Sequence, residues 1–222
     1  MNDKIYFITY GEGKGYNQTL KRITNEAKNS GFFSQIESFN SNNLTSEFKQ
    51  KYKNVLCQKR GAGYWIWKVD IIKNKLNSIQ EGDYLVYLDA GCTINKLGKK
   101  RFEEYIEILK KSKYGIIDFE CRHDFNKQKR QCTKQIFDYF ELDPESVNRG
   151  ITLPGVLIIK KNEHSNLIFE KFLEVLNFDE KLVTDYYNKQ KQHPDYWDHR
   201  HDQSIFTCLF IKYGSEIIQR NE

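Results

Sequence analysis

The chain has 222 residues, of which 39% are hydrophobic and 14% aromatic, and a formal net charge of +5. That length and aromatic content support a buried core and exclude a disordered chain, and no apolar run approaches the roughly 20 residues of a membrane span. The mild positive charge suits an anionic ligand or an anionic membrane face and falls short of a nucleic-acid surface.

Residues 4–10 read as a first strand, closed by Gly11, Gly13 and Gly15. A glycine-rich turn there can admit a nucleotide, with Thr9, Tyr10 and Gly11 at its border and the Tyr10 ring available for stacking. A full G-x-G-x-x-G is absent, and the same turn also reads as a flexible loop. A helix over 15–30, a strand over 33–39 and a short basic helix capped by Thr45 follow.

Gln58-Lys59-Arg60-Gly61-Ala62-Gly63-Tyr64-Trp65-Ile66-Trp67-Lys68 joins a guanidinium, glycines, three aromatics and a lysine. Ile71, Ile72, Leu76 and Ile79 continue at helical spacing, so the aromatic cluster is expected to open a helix. Arg60, Lys68 and the amides at that helix start would form an anion site, with Gly63 and Tyr64 bordering it; the other reading is that the aromatics pack and Arg60 pairs with an acid. Trp65 and Trp67 cannot share one helical face, so one of them is expected to point away from the core.

Residues 84–88 form a doubly buried strand that ends in Asp89-Ala90-Gly91-Cys92, which places a carboxylate at a sheet's carboxyl edge, where open α/β sheets take ligands. A helix over 99–110 and a strand over 114–119 come next, then a charged segment, 121–131, that reads as mobile surface. Thr133 starts a helix through Phe140, and Thr152-Leu153-Pro154-Gly155 turns into a strand over 156–159. Gly155 marks a close approach of ligand or backbone. Helices are expected over 162–176 and 179–189. His193 to Ser204 then packs three His, three Asp and an Arg before an apolar helix, with Asp202 at its start. The five cysteines are too far apart for a zinc ribbon or redox pair, and most read as small core residues of a reducing compartment. Met1-Asn2-Asp3-Lys4 leads straight into a strand without a signal-peptide pattern, and no linker interrupts residues 1–222, so a single cytoplasmic domain is expected.

Asp89 after its strand, Pro154-Gly155-Val156-Leu157-Ile158-Ile159, and His201-Asp202-Gln203-Ser204 opening a final helix resemble the motif order of small GT-A fold glycosyltransferases. The Arg60–Lys68 and Tyr87–Cys92 runs are similar to uncharacterised glycosyltransferases of bacterial polysaccharide clusters and large DNA viruses. The resemblance implies an α/β, Rossmann-like, mixed and mostly parallel sheet flanked by helices. It also implies sugar transfer from a UDP- or GDP-linked donor to a glycan or lipid-linked acceptor, at most with peripheral contact at the inner membrane surface. Thr9, Tyr10, Gly11, Arg60, Gly63, Tyr64, Trp67, Lys68, Asp89, Ala90, Gly91 and Gly155 would bind the donor, and Asp202 and Gln203 would be catalytic. Asp89 with His201 would hold Mn²⁺ or Mg²⁺, although Gly91 stands where the second acid of an Asp-x-Asp motif is expected. Other readings are a haloacid dehalogenase-type phosphatase, from Leu88-Asp89-Ala90-Gly91-Cys92-Thr93, and a non-catalytic nucleotide-sugar binder.

Overall fold

The computed structural model describes residues 3–121 and 123–219, so Met1 and Asn2, and Arg122 of the charged segment, lie outside the described residues. The strands are β1 (Ile5–Tyr10), β2 (Gln35–Phe39), β3 (Tyr84–Leu88), β4 (Ile117–Glu120), β5 (Val156–Lys160) and β6 (Glu216–Gln219). The longer helices are α1 (Asn17–Ser30), α2 (Trp67–Ser78), α3 (Lys99–Lys111), α4 (Glu163–Phe178) and α5 (Asp202–Tyr213). The main sheet runs β2-β1-β3-β5, parallel except for β5, and helices cover it on both sides. This is the mixed, mostly parallel α/β arrangement the sequence implies.

Strand alternation sorts the core into two layers. Phe7, Val86 and Ile158 pack with Ile23 and Ala27 of α1 and Leu109 of α3. Ile8, Leu85, Tyr87 and Leu157 pack with Ile72 of α2, Phe172 of α4 and Phe206 of α5. Fully burying a side chain of this size stabilises by about 1.5–3 kcal/mol, and a one-residue slip would turn each strand inside out.

The register also assembles the site. β1 and β3 are parallel, so Tyr10-Gly11 and Asp89 leave the sheet at one edge. Antiparallel β5 begins at that same edge, with Leu88 beside Val156 and the Asp89 N–H donating to the Gly155 carbonyl at 2.8 Å. Three connections therefore border one crevice.

Several expectations change. The helix over 15–30 begins only at Asn17, after a 3₁₀ turn at Lys14–Tyr16. The segment 179–189 is two 3₁₀ turns, because the Asp179 and Thr184 side chains accept the N–H groups of Lys181 and Tyr186 and break a continuous helix. The charged segment is not loose surface. Cys121, Gln128 and Gln131 are buried, and the Gln131 amide donates to the Phe125 carbonyl, so its polar side chains serve the backbone. The expected 114–119 strand forms only from Ile117 and pairs with the unanticipated β6 in a separate two-stranded sheet.

Candidate active site

The glycine-rich approach to α2 is not a helix. Gly61, Ala62, Gly63, Tyr64 and Trp65 all have positive φ, from 51° to 98°. Non-glycine residues in that region cost roughly 1–2 kcal/mol each, so surrounding contacts must hold the turn. A Cβ on Gly63 would lie 2.7 Å from the Leu56 Cα, which makes Gly63 a packing position and not a ligand contact. The turn swings Trp65 away from Trp67, which opens α2, and both rings border the crevice. The Trp67 indole stacks on Tyr10, centroids 3.7 Å apart, and donates to the Gly61 carbonyl at 2.9 Å.

That crevice is a pocket of about 380 Å³ lined by the Tyr10–Glu12 turn, Tyr16, Lys59, the Gly61–Trp67 turn and Asp89-Ala90-Gly91. Of the expected donor contacts, Tyr10, Gly11, Trp67, Asp89, Ala90 and Gly91 line it. Thr9 does not, because it is buried on the Phe7 face of β1. Tyr10 is 5% exposed and one ring face is taken by Trp67, so the ring most open to a ligand is Tyr16, at 53%. Sequence reasoning passed over Tyr16 and Lys59. Both sit in stretches already singled out, but nothing in the spacing of either stretch distinguishes Lys59 from Arg60.

Behind Asp89, which lines the crevice, three separated residues meet. Lys68, from the first turn of α2, is 1% exposed, and its Nζ lies 2.7 Å from Asp202 Oδ2 and 3.7 Å from Asp89 Oδ1. Lys68 therefore joins two carboxylates and does not face phosphates as an open cation. Burial works against its charge, but the two carboxylates outweigh burial and raise its pKa above the ordinary lysine value. Burial pushes the Asp202 carboxyl up to about 6, with Lys68 opposing. The Tyr87 hydroxyl, on the same strand face as Asp89, donates to Asp89 Oδ1. A Cβ at Gly155 would lie 2.6 Å from Asp89 Oδ2, so the close approach there is the Asp89 carboxylate itself.

Asp202 is 5% exposed behind Lys68, so it is Asp89 that presents a carboxylate to the pocket. The Gln203 amide is held by the Thr152 carbonyl at 2.6 Å, tying α5 to the lead-in of β5. Arg60 is not an open anion site: it pairs with Asp185 at 3.2 Å and Asp198 at 3.3 Å. Asp185 also accepts from the Tyr64 hydroxyl at 3.1 Å and bonds His201 Nε2 at 3.0 Å. Burial alone would raise the Asp185 pKa, but the His201, Tyr64 and Arg60 partners bring it below the usual carboxylate value. His201, itself at φ 54°, packs beside the Tyr64 and Trp65 rings and so braces the left-handed turn. Asp185 lay inside an expected helix with no signal of this role.

A divalent cation fits these residues poorly. Asp89 shares its carboxylate with Tyr87 and an ammonium, Gly91 supplies no oxygen side chain, and His201 Nε2 is taken by Asp185. No group of three or more His, Cys, Asp or Glu among the described residues could hold a metal, whereas hard divalent ions take six or more oxygens.

No protein-family model matches the sequence, and no curated protein matches it. Among solved structures, the chain is similar to a glycosyltransferase involved in glycosylation of the major capsid of PBCV-1, at 12% identity over 98% of this chain and 81% of that one, with a TM-score of 0.44. It is similar to the galactosyltransferase LgtC in complex with donor and acceptor sugar analogs, at 12% identity over 97% of this chain and 73% of that one, TM-score 0.49. It is also similar to mouse xyloside xylosyltransferase 1, at 12% identity over 97% of this chain and 84% of that one, TM-score 0.43. Likenesses at this level say nothing about substrate.

Proposed function

We propose that the chain is a nucleotide-sugar-dependent glycosyltransferase. The observation that carries this reading is an aromatic, glycine-bordered crevice on the carboxyl edge of the sheet whose one strand-end carboxylate, Asp89, is backed by a buried ammonium that also pairs with Asp202. In the reaction the sugar–phosphate bond of the donor breaks, the anomeric carbon bonds an acceptor hydroxyl oxygen, a nucleoside diphosphate leaves with the bonding electrons, and the hydroxyl proton passes to the departing diphosphate. The Tyr16 and Trp65 rings suit the flat base, and Lys59 with the Gly61 and Gly91 backbone suits the diphosphate. Asp89 would meet the sugar hydroxyls.

Lys68 keeps a fixed positive charge behind Asp89, in a site where reorganisation costs little. Asp202 acts through it. Its carboxylate keeps Lys68 charged and aimed at Asp89, which makes Asp202 a positioning residue. As the general base expected from the sequence, Asp202 would first have to exchange Lys68 for an acceptor hydroxyl. No step passes through a metal held by this chain.

Thermal shift against UDP- and GDP-sugars, each with Mn²⁺, Mg²⁺ or EDTA, tests the reading. Stabilisation by one nucleotide class, retained in EDTA, is expected; at 100-fold excess over the dissociation constant it amounts to about 2.7 kcal/mol. Absence of a shift with every donor overturns the reading. Binding without release of nucleotide, with or without acceptor, leaves a binder.

A further inference from the structure

A second opening lies across the sheet from the crevice. Leu88, Val156 and Ile158 form its floor, Phe102 and Tyr105 of α3 its wall and Phe33 its far end, and the groove measures about 470 Å³. That is the size of a small-ligand cavity, and here it is mostly apolar, with Thr93, Asn95, Arg101 and Gln219 as its polar lining. Its mouth is basic: Arg101 lines it, and Lys96, Lys99 and Lys100 are exposed beside it. Glu103 and Glu104 pair with Lys99 and Arg101, so four cations against two carboxylates leave this corner at +2. Between the lysines, Leu97 stands 85% exposed, the most exposed large apolar side chain among those described.

The groove and the crevice share two connections. Asp89-Ala90-Gly91 lines the crevice, and Thr93 to Asn95, further along the same loop, lines the groove. Gly155 touches Asp89, while Leu153 and Val156 on either side of it line the groove. An apolar groove with a positive mouth and an exposed leucine between lysines is matched by one ligand chemistry, a hydrocarbon chain carrying a phosphate head.

We infer that this groove binds a phosphate-headed lipid, with the chain against Leu88, Phe102 and Ile158, the phosphate on Lys96 and Lys100, and Leu97 set into the bilayer surface. Lipid binding is measured without nucleotide, so it stands apart from the donor reading above.

Calorimetric titration of the full chain with monomeric dodecyl phosphate and with inorganic phosphate tests this, alongside flotation with phosphatidylcholine vesicles with and without phosphatidylglycerol. Dodecyl phosphate is expected to bind at least about 100-fold more tightly than inorganic phosphate, because the chain is buried. Gly98 lines the groove at φ −77°, and nothing lies within 4 Å of where its Cβ would sit, so Gly98→Trp should fill the mouth without backbone strain and remove that preference. Lys96→Glu with Lys100→Glu should weaken both phosphates and the phosphatidylglycerol vesicles about tenfold or more, and Leu97→Asp should weaken the vesicles alone. Unchanged melting temperatures and donor shifts would show that these variants are folded. Equal affinity for the two phosphates, or vesicle binding that survives Gly98→Trp and Leu97→Asp alike, overturns the inference. So does a concentration-dependent dimer that Gly98→Trp disrupts while no lipid binds, which would give the groove to a second copy of the chain.

Discussion

Two cations in this protein each hold a pair of carboxylates, and their surroundings make them different devices. Lys68 joins Asp89 and Asp202 with its side chain 2% exposed, whereas Arg60 joins Asp185 and Asp198 with side chains 41%, 35% and 33% exposed. Both link the Arg60–Lys68 stretch to the approach to α5. Asp89 is itself 40% exposed, but Lys68 and Asp202 are sealed from water, so this buried pair sets the charge state behind the crevice, because removing one strands the other ion without solvent. The arginine cluster is bathed in solvent and serves as a fastening beside the left-handed turn.

Breaking the buried cluster should have the largest effect. Lys68→Met is expected to destabilise the fold by about 3–5 kcal/mol in urea unfolding, and adding Asp202→Leu should recover part of the loss by removing the stranded carboxyl. Recovery by the double variant separates charge from packing. Full additivity would mean that the two residues do not act together.

Asp202→Asn keeps the shape and removes the charge. Turnover should fall about 10²–10³-fold with donor affinity nearly unchanged, since the lost interaction acts mainly on the transition state. Activity of the unsubstituted protein should fall as pH drops through about 6, where Asp202 takes up a proton, and this limb should vanish in the variant. Near-normal turnover would return Asp202 to an ordinary helix start.

His199 offers a smaller lever. It is fully buried, its Nε2 lies 2.9 Å from the Leu182 carbonyl, and burial pushes its pKa down to about 3. The folded chain thus binds this proton less readily than the unfolded one, so its contribution is present above about pH 6.5 and is lost as pH falls. Between pH 7 and 5 the loss is about 2 kcal/mol. Asp118 and Asp202, both raised to about 6, act in the opposite sense as pH falls. The comparison is therefore between the unsubstituted protein and His199→Gln, whose stability should decline less on acidification.

Arg60→Ala should matter least. Solvent and salt screen both of its pairs, so a loss below about 1 kcal/mol, shrinking further in high salt, is expected, with donor affinity little changed. A large loss of donor binding would restore Arg60 as a phosphate ligand and erase the distinction between the two clusters.

Much of this was legible in the residues. Short apolar runs bounded by turn signals marked β1, β3 and β5, Asp89 after a doubly buried run marked the sheet edge, and helical spacing after Trp67 marked α2. These signals are local, and periodicity encodes them directly. Asp202 at the start of α5 was legible for the same reason.

The sequence by itself determined which side chains with reactive chemistry stand at element ends, and it singled out Lys68, Asp89 and Asp202 from three distant stretches. Only the tertiary structure decided that Lys68 lies between the two acids, that Arg60 is spent on Asp185 and Asp198, and that Lys59 and Tyr16 border the pocket. The left-handed run at Gly61–Trp65 is one reason, since it rotates neighbouring residues to different sides in a way no helical or strand period describes. The other reason is burial, which depends on contacts across more than a hundred residues and gives the same pairing of charges one meaning at Lys68 and another at Arg60.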